Sequence, residues 1–231
     1  MAAFVLVHSP LLGPTTWFWV AQELRRRGHH VVVPAPLAAA VVGGWRAWTD
    51  AVVDDIGTRE AAMIVGHSGA GPLLPVIASK VVSPPSQLVF VDVGLPPVSG
   101  DAPLVPDQFL DALRALAHNG VLPKWSEWFG PTAMEELIPE EDHRAAVVAE
   151  LPEVPLAYFE ATVPLPEGWS SATSGAFVLL SEPYRSDAIE AASRGWPVLE
   201  LPGAHLDTVV RPAEIADALV DLAHRENAAP H

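Results

Sequence analysis

The chain has 231 residues, of which 50% are hydrophobic, and its 13 Lys and Arg against 28 Asp and Glu give a formal net charge of −15. This apolar content excludes a disordered chain, and the length suits a single α/β domain. The charge argues against nucleic acid or an anionic membrane as a partner, because both attract basic patches. With no cysteine, the sequence offers neither disulfides nor thiolate chemistry.

Short apolar runs alternate with helical patterns over residues 1–96, which is typical of βαβ units and a parallel sheet. We predict strands over "AAFVLVH", "HHVVVPAP", "AAMIVGH" and "SQLVFVDVGLP", and helices over residues 15–27, 45–59 and 71–82. No apolar run approaches the roughly 18 residues of a membrane span, and the first run lacks the basic flank of a signal peptide. We therefore expect a cytoplasmic protein.

The alternation stops over residues 97–173, where prolines are dense and the patterns "PDQFLDALRALAHNG" and "PEEDHRAAVVAEL" are helical. It resumes with "GAFVLLSEP", "SDAIEAASRG", "WPVLELPG" and a last helix over residues 212–224. The sequence thus predicts an α/β fold with six mostly parallel strands. Residues 1–96 and 174–231 would form the core, and residues 97–173 a helical cap, without a buried strand, between the fourth and fifth strands.

Ser68 stands where the third predicted strand meets a helix, in "MIVGHSGAGP". A nucleophile on such a tight turn needs small residues two positions before and after it, and Gly66 and Ala70 meet that need. The backbone N–H of Gly69, at the start of the helix, would face a developing oxyanion. The alternative is that these residues only allow close packing of helix and strand.

His205 follows the last strand in "LPGAHLDTV", so it should lie at the same carboxyl edge of the sheet as Ser68. Its position suits a general base. Of the other histidines, His8 is expected to hold backbone and His67 to point away from the site.

The motifs "GHSGAG", "VLVHSPLLGPTTW" and "LPGAHL" resemble the α/β-hydrolase fold superfamily in its small six-stranded form, in particular the hydroxynitrile lyase and plant methylesterase branch. The resemblance covers nearly the whole chain and implies a triad in the chain order serine, acid, histidine. In most of the superfamily the acid follows the strand before that of the histidine, where Glu182 and Asp187 are the candidates. In some branches it follows the fourth strand, where Asp92 stands. We favour Asp92, with Glu182 as the alternative acid.

The resemblance also implies a second oxyanion donor in the loop after the first strand, two residues beyond a histidine. That position is Pro10, which has no N–H. The N–H of Leu11 or the hydroxyl of Ser9 would have to replace it, or the reaction would depend less on an oxyanion.

Aromatic residues of the cap, among them Trp125 and Trp128, could line an apolar pocket over Ser68 or merely pack the cap onto the sheet. We therefore expect a small apolar or aromatic substrate. No phosphate loop or metal-ligand spacing is present, so we expect no cofactor and no metal.

Three functions are compatible with these residues. The first is a serine hydrolase, an enzyme that cleaves a small apolar ester, thioester or lactone through Ser68, His205 and Asp92. The second is a lyase, cyclase or dehydratase that uses Ser68 and His205 as acid and base. The third is a ligand receptor without catalysis.

Overall fold

The computed structural model describes residues 1–130 and 132–228. Its strands, in chain order, are β1 (Ala3–Val7), β2 (His30–Val32), β3 (Met63–His67), β4 (Gln87–Val91), β5 (Asp101–Pro103), β6 (Val121–Leu122), β7 (Val154–Pro155), β8 (Thr162–Pro164), β9 (Ser174–Leu179) and β10 (Val198–Glu200). Six of them form the central sheet in the spatial order β10, β9, β4, β3, β1, β2, and every neighbouring pair is parallel. The predicted six-stranded α/β fold is confirmed.

The helices connect these strands and cover both faces of the sheet. In chain order they are α1 (Phe18–Arg26), α2 (Leu37–Ile56), α3 (Leu74–Lys80), α4 (Asp107–Leu116), α5 (Ala133–Leu137), α6 (Glu141–Glu150), α7 (Leu156–Phe159), α8 (Trp169–Ala172), α9 (Arg185–Ser193), α10 (Asp207–Val210) and α11 (Pro212–Ala228). Short 3-10 helices lie at Pro14–Trp17, Ser68–Leu73, Trp125–Glu127 and Glu182–Tyr184.

Two helix boundaries differ from the sequence prediction. The first helix is divided into the 3-10 turn Pro14–Trp17 and α1, because proline starts the element and 3-10 turns are frequent at helix starts. The second begins at Leu37 instead of residue 45, and Gly44 interrupts it with a φ of 67°. A glycine at positive φ breaks the helical period, so the residues before it do not continue the pattern of those after it.

The sheet is buried on both faces, which explains why its strands read as continuous apolar runs. One core contains Phe4 of β1 together with Trp17 and Leu219 of the surrounding helical segments. The other contains Phe90 of β4, Trp48 of α2 and much of the segment between β4 and β9. Within the described part of the chain, no helix is both long and apolar enough to cross a membrane.

The segment between β4 and β9 contains α4–α8 and two small antiparallel sheets, β5 with β8 and β6 with β7. The expectation of no buried strand here missed these pairs, which are two or three residues long and include prolines at positions 103, 155 and 164. Such short strands have no room for a period-2 pattern. The segment is tied to the core by Glu150, whose carboxylate accepts the N–H of Thr15 at 2.9 Å.

Candidate active site

Ser68 occupies the turn between β3 and the 3-10 helix Ser68–Leu73, with a φ of 57°. A non-glycine residue in the left-handed region is strained, and a serine held this way on a strand-to-helix turn has the conformation of a nucleophile elbow. Small neighbours are required here. A Cβ on Gly66 would come within 2.7 Å of Leu74 Cδ2, and Ala70 is fully buried.

His205 and Asp92 meet at the carboxyl edge of the sheet, beyond β10 and β4 respectively. The Nδ1–H of His205 donates to Asp92 Oδ2 at 2.7 Å. His67, the last residue of β3, fixes the loop that carries His205, because its Nε2–H donates to the carbonyl oxygen of His205 at 2.8 Å. The structure therefore brings His205 to the residue that precedes Ser68 and to the carboxylate that the sequence favoured.

Asp92 is fully buried and accepts four hydrogen bonds. The N–H groups of Leu180 and Ser181 donate to Oδ1, both at 2.9 Å, while Ser181 Oγ and His205 donate to Oδ2. Burial by itself would raise the pKa of Asp92, but the hydrogen bonds from His205 and Ser181 outweigh it and hold the pKa below its usual value. The carboxylate is thus kept ionised beside the imidazole.

The other candidate acids lie elsewhere. Glu182 is exposed and pairs with Arg185 at 3.1 Å on the surface. Asp187 accepts the N–H of Leu95 at 2.7 Å, and burial raises its pKa. Of these three carboxylates, Asp92 is the one that contacts His205.

Two further histidines are buried next to the site. His8 donates from Nδ1 to the carbonyl oxygen of Ser9 at 2.7 Å, so it holds backbone as expected. Burial lowers the pKa of His8 to about 4 and that of His67 to about 3. Both rings are therefore neutral at neutral pH, and each serves as a hydrogen-bond donor that fixes a loop.

The loop after β1, called the first loop here (residues 8–13), approaches the backbone of Gly69. A Cβ on Gly69 would lie 2.9 Å from Ser9 Oγ and 3.4 Å from Pro10 Cδ. The N–H of Leu11 donates to Ser9 Oγ at 3.2 Å. The structure thus places Pro10 beside Gly69, as expected. Pro10 has no N–H and the N–H of Leu11 donates to Ser9 Oγ, so neither residue offers a free donor to an oxyanion.

A cavity of about 580 Å³ opens beside Ser68 and Gly69. Its wall is mostly apolar and includes Leu11, Pro72, Leu95, Leu104, Phe109 and Phe159. Its polar wall groups include Ser68, Tyr184, Ser186 and Asp187. This volume suits a small organic molecule.

The structure places the two predicted cap tryptophans differently. Trp125 is buried with its ring 6.3 Å from that of His205, so it lies next to the site. Trp128 is farther out, where it packs on Phe109 and donates from its indole N–H to the carbonyl oxygen of Pro123 at 3.0 Å. The aromatic side chains on the cavity wall are Phe109, Phe159 and Tyr184, and neither tryptophan is among the lining residues.

Tyr184 is a site residue that the sequence reasoning missed. Its ring stacks on His205, with centroids 5.2 Å apart and planes at 15°, and its side chain lines the cavity together with Ser68. It ends the 3-10 helix Glu182–Tyr184, inside the segment "SEPYRSD", whose carboxylates Glu182 and Asp187 are the candidate acids of the sequence. A hydroxyl-bearing aromatic residue in a loop at the carboxyl edge of the sheet was the available signal.

Across residues 1–130 and 132–228, no three His, Asp or Glu side chains gather as a metal site requires. The expectations of no metal and no cofactor stay predictions.

No protein-family model matches the chain, but individual proteins and solved structures do resemble it. A carbendazim hydrolyzing esterase of Nocardioides sp. is 28% identical over 250 residues, which cover 96% of this chain and 100% of the esterase. Among solved structures, an extracellular α/β-hydrolase from a Paenibacillus species, described as sharing structural and functional homology with tobacco salicylic acid binding protein 2, superposes with a TM-score of 0.75 at 20% identity. It covers 96% of this chain and 98% of its own.

The structure of polyneuridine aldehyde esterase has a TM-score of 0.72 at 18% identity and covers 96% of this chain and 99% of its own. Together with the parallel six-stranded sheet and the serine turn between β3 and the following helix, these similarities establish the fold. The chain has the α/β-hydrolase fold, as its sequence predicted.

Proposed function

We propose that the protein is an α/β-hydrolase-fold enzyme of the carboxylic-ester hydrolase type, with Ser68 as nucleophile, His205 as general base and Asp92 as the acid that orients it. The observation that carries the proposal is the pairing of two features at one sheet edge. Ser68 is held at a φ of 57° beside an apolar cavity, and His205 Nδ1 is fixed by Asp92 at 2.7 Å. The names of the esterases and hydrolases among the relatives support the same activity.

In this mechanism Asp92 holds Nδ1–H of His205, which leaves Nε2 to take the proton of Ser68 Oγ. The oxygen attacks the carbonyl carbon of the ester, and the carbonyl oxygen becomes the oxyanion of a tetrahedral intermediate. The N–H of Gly69 donates to that oxyanion. Collapse of the intermediate releases the alcohol, which takes its proton from His205, and water then hydrolyses the acyl-enzyme by the same steps in reverse.

The cavity wall supports a small, largely apolar or aromatic substrate. The carboxylates of the site are Asp187 on the cavity wall and the buried Asp92 behind His205, and no Lys or Arg stands among the described residues that line the cavity. A substrate with its own carboxylate would find no cation there and would face Asp187. We therefore infer a neutral ester, thioester or lactone as the substrate class.

The direct test is labelling with a fluorophosphonate probe, together with hydrolysis of p-nitrophenyl butyrate. We expect the wild type to be labelled and active, and Ser68→Ala to lose both labelling and activity. Ser186→Ala is the matched control. Ser186 also lines the cavity, but it is exposed and makes no hydrogen bond with His205 within the part of the chain that the structure describes. A folded wild type that resists labelling, or equal labelling of Ser68→Ala, would contradict the proposal.

A second candidate, a lyase, cyclase or dehydratase with Ser68 and His205 as acid and base, is favoured by one observation. Pro10 has no N–H, and the N–H of Leu11 is directed to Ser9 Oγ at 3.2 Å, so the first loop offers the oxyanion little support. If Ser68→Ala retained product formation while His205→Ala abolished it, this chemistry would replace covalent hydrolysis. Tight ligand binding without turnover, unaffected by His205→Ala, would instead indicate a receptor.

A further inference from the structure

Tyr184 is placed where it can act on the reacting atoms. Its ring stacks on His205 at 5.2 Å, and its side chain lines the same cavity as Ser68 and Gly69. It therefore contacts the proposed base and the space that a substrate would fill.

The site lacks a second hydrogen-bond donor for the oxyanion in the first loop. An oxyanion in an acyl-transfer site is usually held by two preorganised donors, and loss of one typically costs ~10² to 10³ in turnover. Gly69 can supply one N–H, but Pro10 has none and the N–H of Leu11 donates to Ser9 Oγ. Ser9 itself is fully buried.

The phenol of Tyr184 stays protonated at neutral pH. Burial, and to a smaller extent the charge of Asp92, raises its pKa well above the ordinary value. A phenol of this kind is a poor proton-transfer acid but a dependable hydrogen-bond donor.

We propose that Tyr184 is a further catalytic residue, whose hydroxyl donates a hydrogen bond to a negatively charged oxygen of the tetrahedral intermediate on Ser68 and so replaces the N–H that Pro10 lacks. This inference rests on the proposed ester hydrolysis. No covalent bond to Tyr184 forms and no proton leaves it. The hydroxyl donates to the charged oxygen as that oxygen develops.

The test compares Tyr184→Phe with the wild type on p-nitrophenyl butyrate. Phenylalanine keeps the ring on His205 and removes only the hydroxyl. We expect kcat to fall about 10²-fold with KM within about twofold, because the hydrogen bond strengthens in the transition state. Inhibition by phenylboronic acid, which forms a tetrahedral adduct with a nucleophilic serine, should weaken by a similar factor. A merely structural role for the ring would leave both quantities unchanged.

The control is Tyr158→Phe, which removes the hydroxyl of the other tyrosine in the chain. Tyr158 is buried in the cap beside Phe159, and its hydroxyl has no hydrogen-bond partner among the described residues, so kcat and boronate inhibition should stay as in the wild type. Ser9→Ala tests the competing donor and should change kcat by less than about threefold.

Two results would overturn the inference. One is a Tyr184→Phe enzyme, folded by its melting temperature, with kcat and boronate inhibition within about twofold of the wild type. The other is transfer of the loss to Ser9→Ala, which would make Ser9 the donor. Failure of the proposed function looks different, because the wild type would then neither hydrolyse the ester nor react with the fluorophosphonate, and the inference would fall with it.

Discussion

The acid side of the site and the first loop lie on either side of the Ser68 turn and use their hydrogen-bonding groups in opposite ways. On the acid side, the carboxylate of Asp92 receives four donors, two of them backbone N–H groups at the end of β9. In the first loop, Pro10 has no N–H and Leu11 donates to its neighbour Ser9. Backbone N–H groups at the end of β9 help to complete the acid side, whereas the donor side depends on the identity of single residues.

The acid side should be the easier one to break. We expect Asp92→Asn to lower kcat for ester hydrolysis by ~10³ to 10⁴, because an amide cannot hold His205 in the tautomer that accepts a proton at Nε2. The measurement is steady-state hydrolysis of p-nitrophenyl butyrate together with the rate of fluorophosphonate labelling.

The matched control for that variant is Glu182→Gln, which neutralises the alternative acid. Glu182 pairs with Arg185 on the surface, so kcat should stay within about twofold of the wild type. If instead Glu182→Gln lost activity and Asp92→Asn retained it, the assignment of the acid would be reversed.

The donor side offers the opposite experiment, in which a group is added. Pro10→Ala introduces an N–H beside Gly69, and we expect it to recover about tenfold in kcat when combined with Tyr184→Phe, and to change the wild type by less. The loss of one donor should be partly offset by the gain of the other.

Pro14→Ala is the control for loop stiffness, because it removes a proline that starts the 3-10 turn at the far end of the same segment. It should not restore kcat in the Tyr184→Phe background. Equal recovery by both substitutions would mean that loop flexibility, not the new N–H, is responsible.

The smallest expected effect is on the free energy of unfolding at acid pH. It depends on two buried histidines, His8 in the first loop and His67 at the end of β3. Burial lowers the pKa of His8 from 6.5 to about 4 and that of His67 to about 3. Below pH 6.5 the unfolded chain binds a proton on each ring, while the folded chain does not until the lowered pKa is reached. The free energy of unfolding should therefore fall as the pH drops from 6.5 to 4, by roughly 1 kcal/mol per pH unit for each histidine.

Urea unfolding at several pH values between 4.5 and 7 measures this slope. His67→Gln and His8→Gln each remove one titrating ring, so each should make the slope shallower than that of the wild type, although both will lower stability overall. A slope unchanged by either substitution would show that the rings are protonated in the folded protein.

The elements with strong patterns were predictable from the sequence. The apolar runs of β3 and β4 predicted the fold, and the small residues around Ser68 and the position of His205 after the last strand predicted two residues of the candidate site. Asp92 could be predicted from the same patterns, because a carboxylate directly after an apolar run is expected to be buried and then needs hydrogen-bond partners.

Tyr184, the short cap strands and the start of α2 were not predictable in this way. Tyr184 reaches the cavity beside Ser68 only because the turn Glu182–Tyr184 folds back toward His205, and neither apolar period nor spacing encodes that turn. Likewise, the partner of the Leu11 N–H depends on the conformation of the first loop and not on a pattern. Local backbone geometry thus decided what pattern alone left open.

The hydrogen bonds from Leu180 and Ser181 also give Asp92 a structural role, because they join the ends of β4 and β9 at the edge of the sheet. A mutation that abolished the chemistry at Ser68 would leave these hydrogen bonds intact, whereas loss of Asp92 would leave two buried N–H groups without an acceptor. In the divergence of such proteins, selection for folding alone would preserve the aspartate after catalysis had gone. The fold therefore requires Asp92 independently of the proposed chemistry of Ser68 and His205.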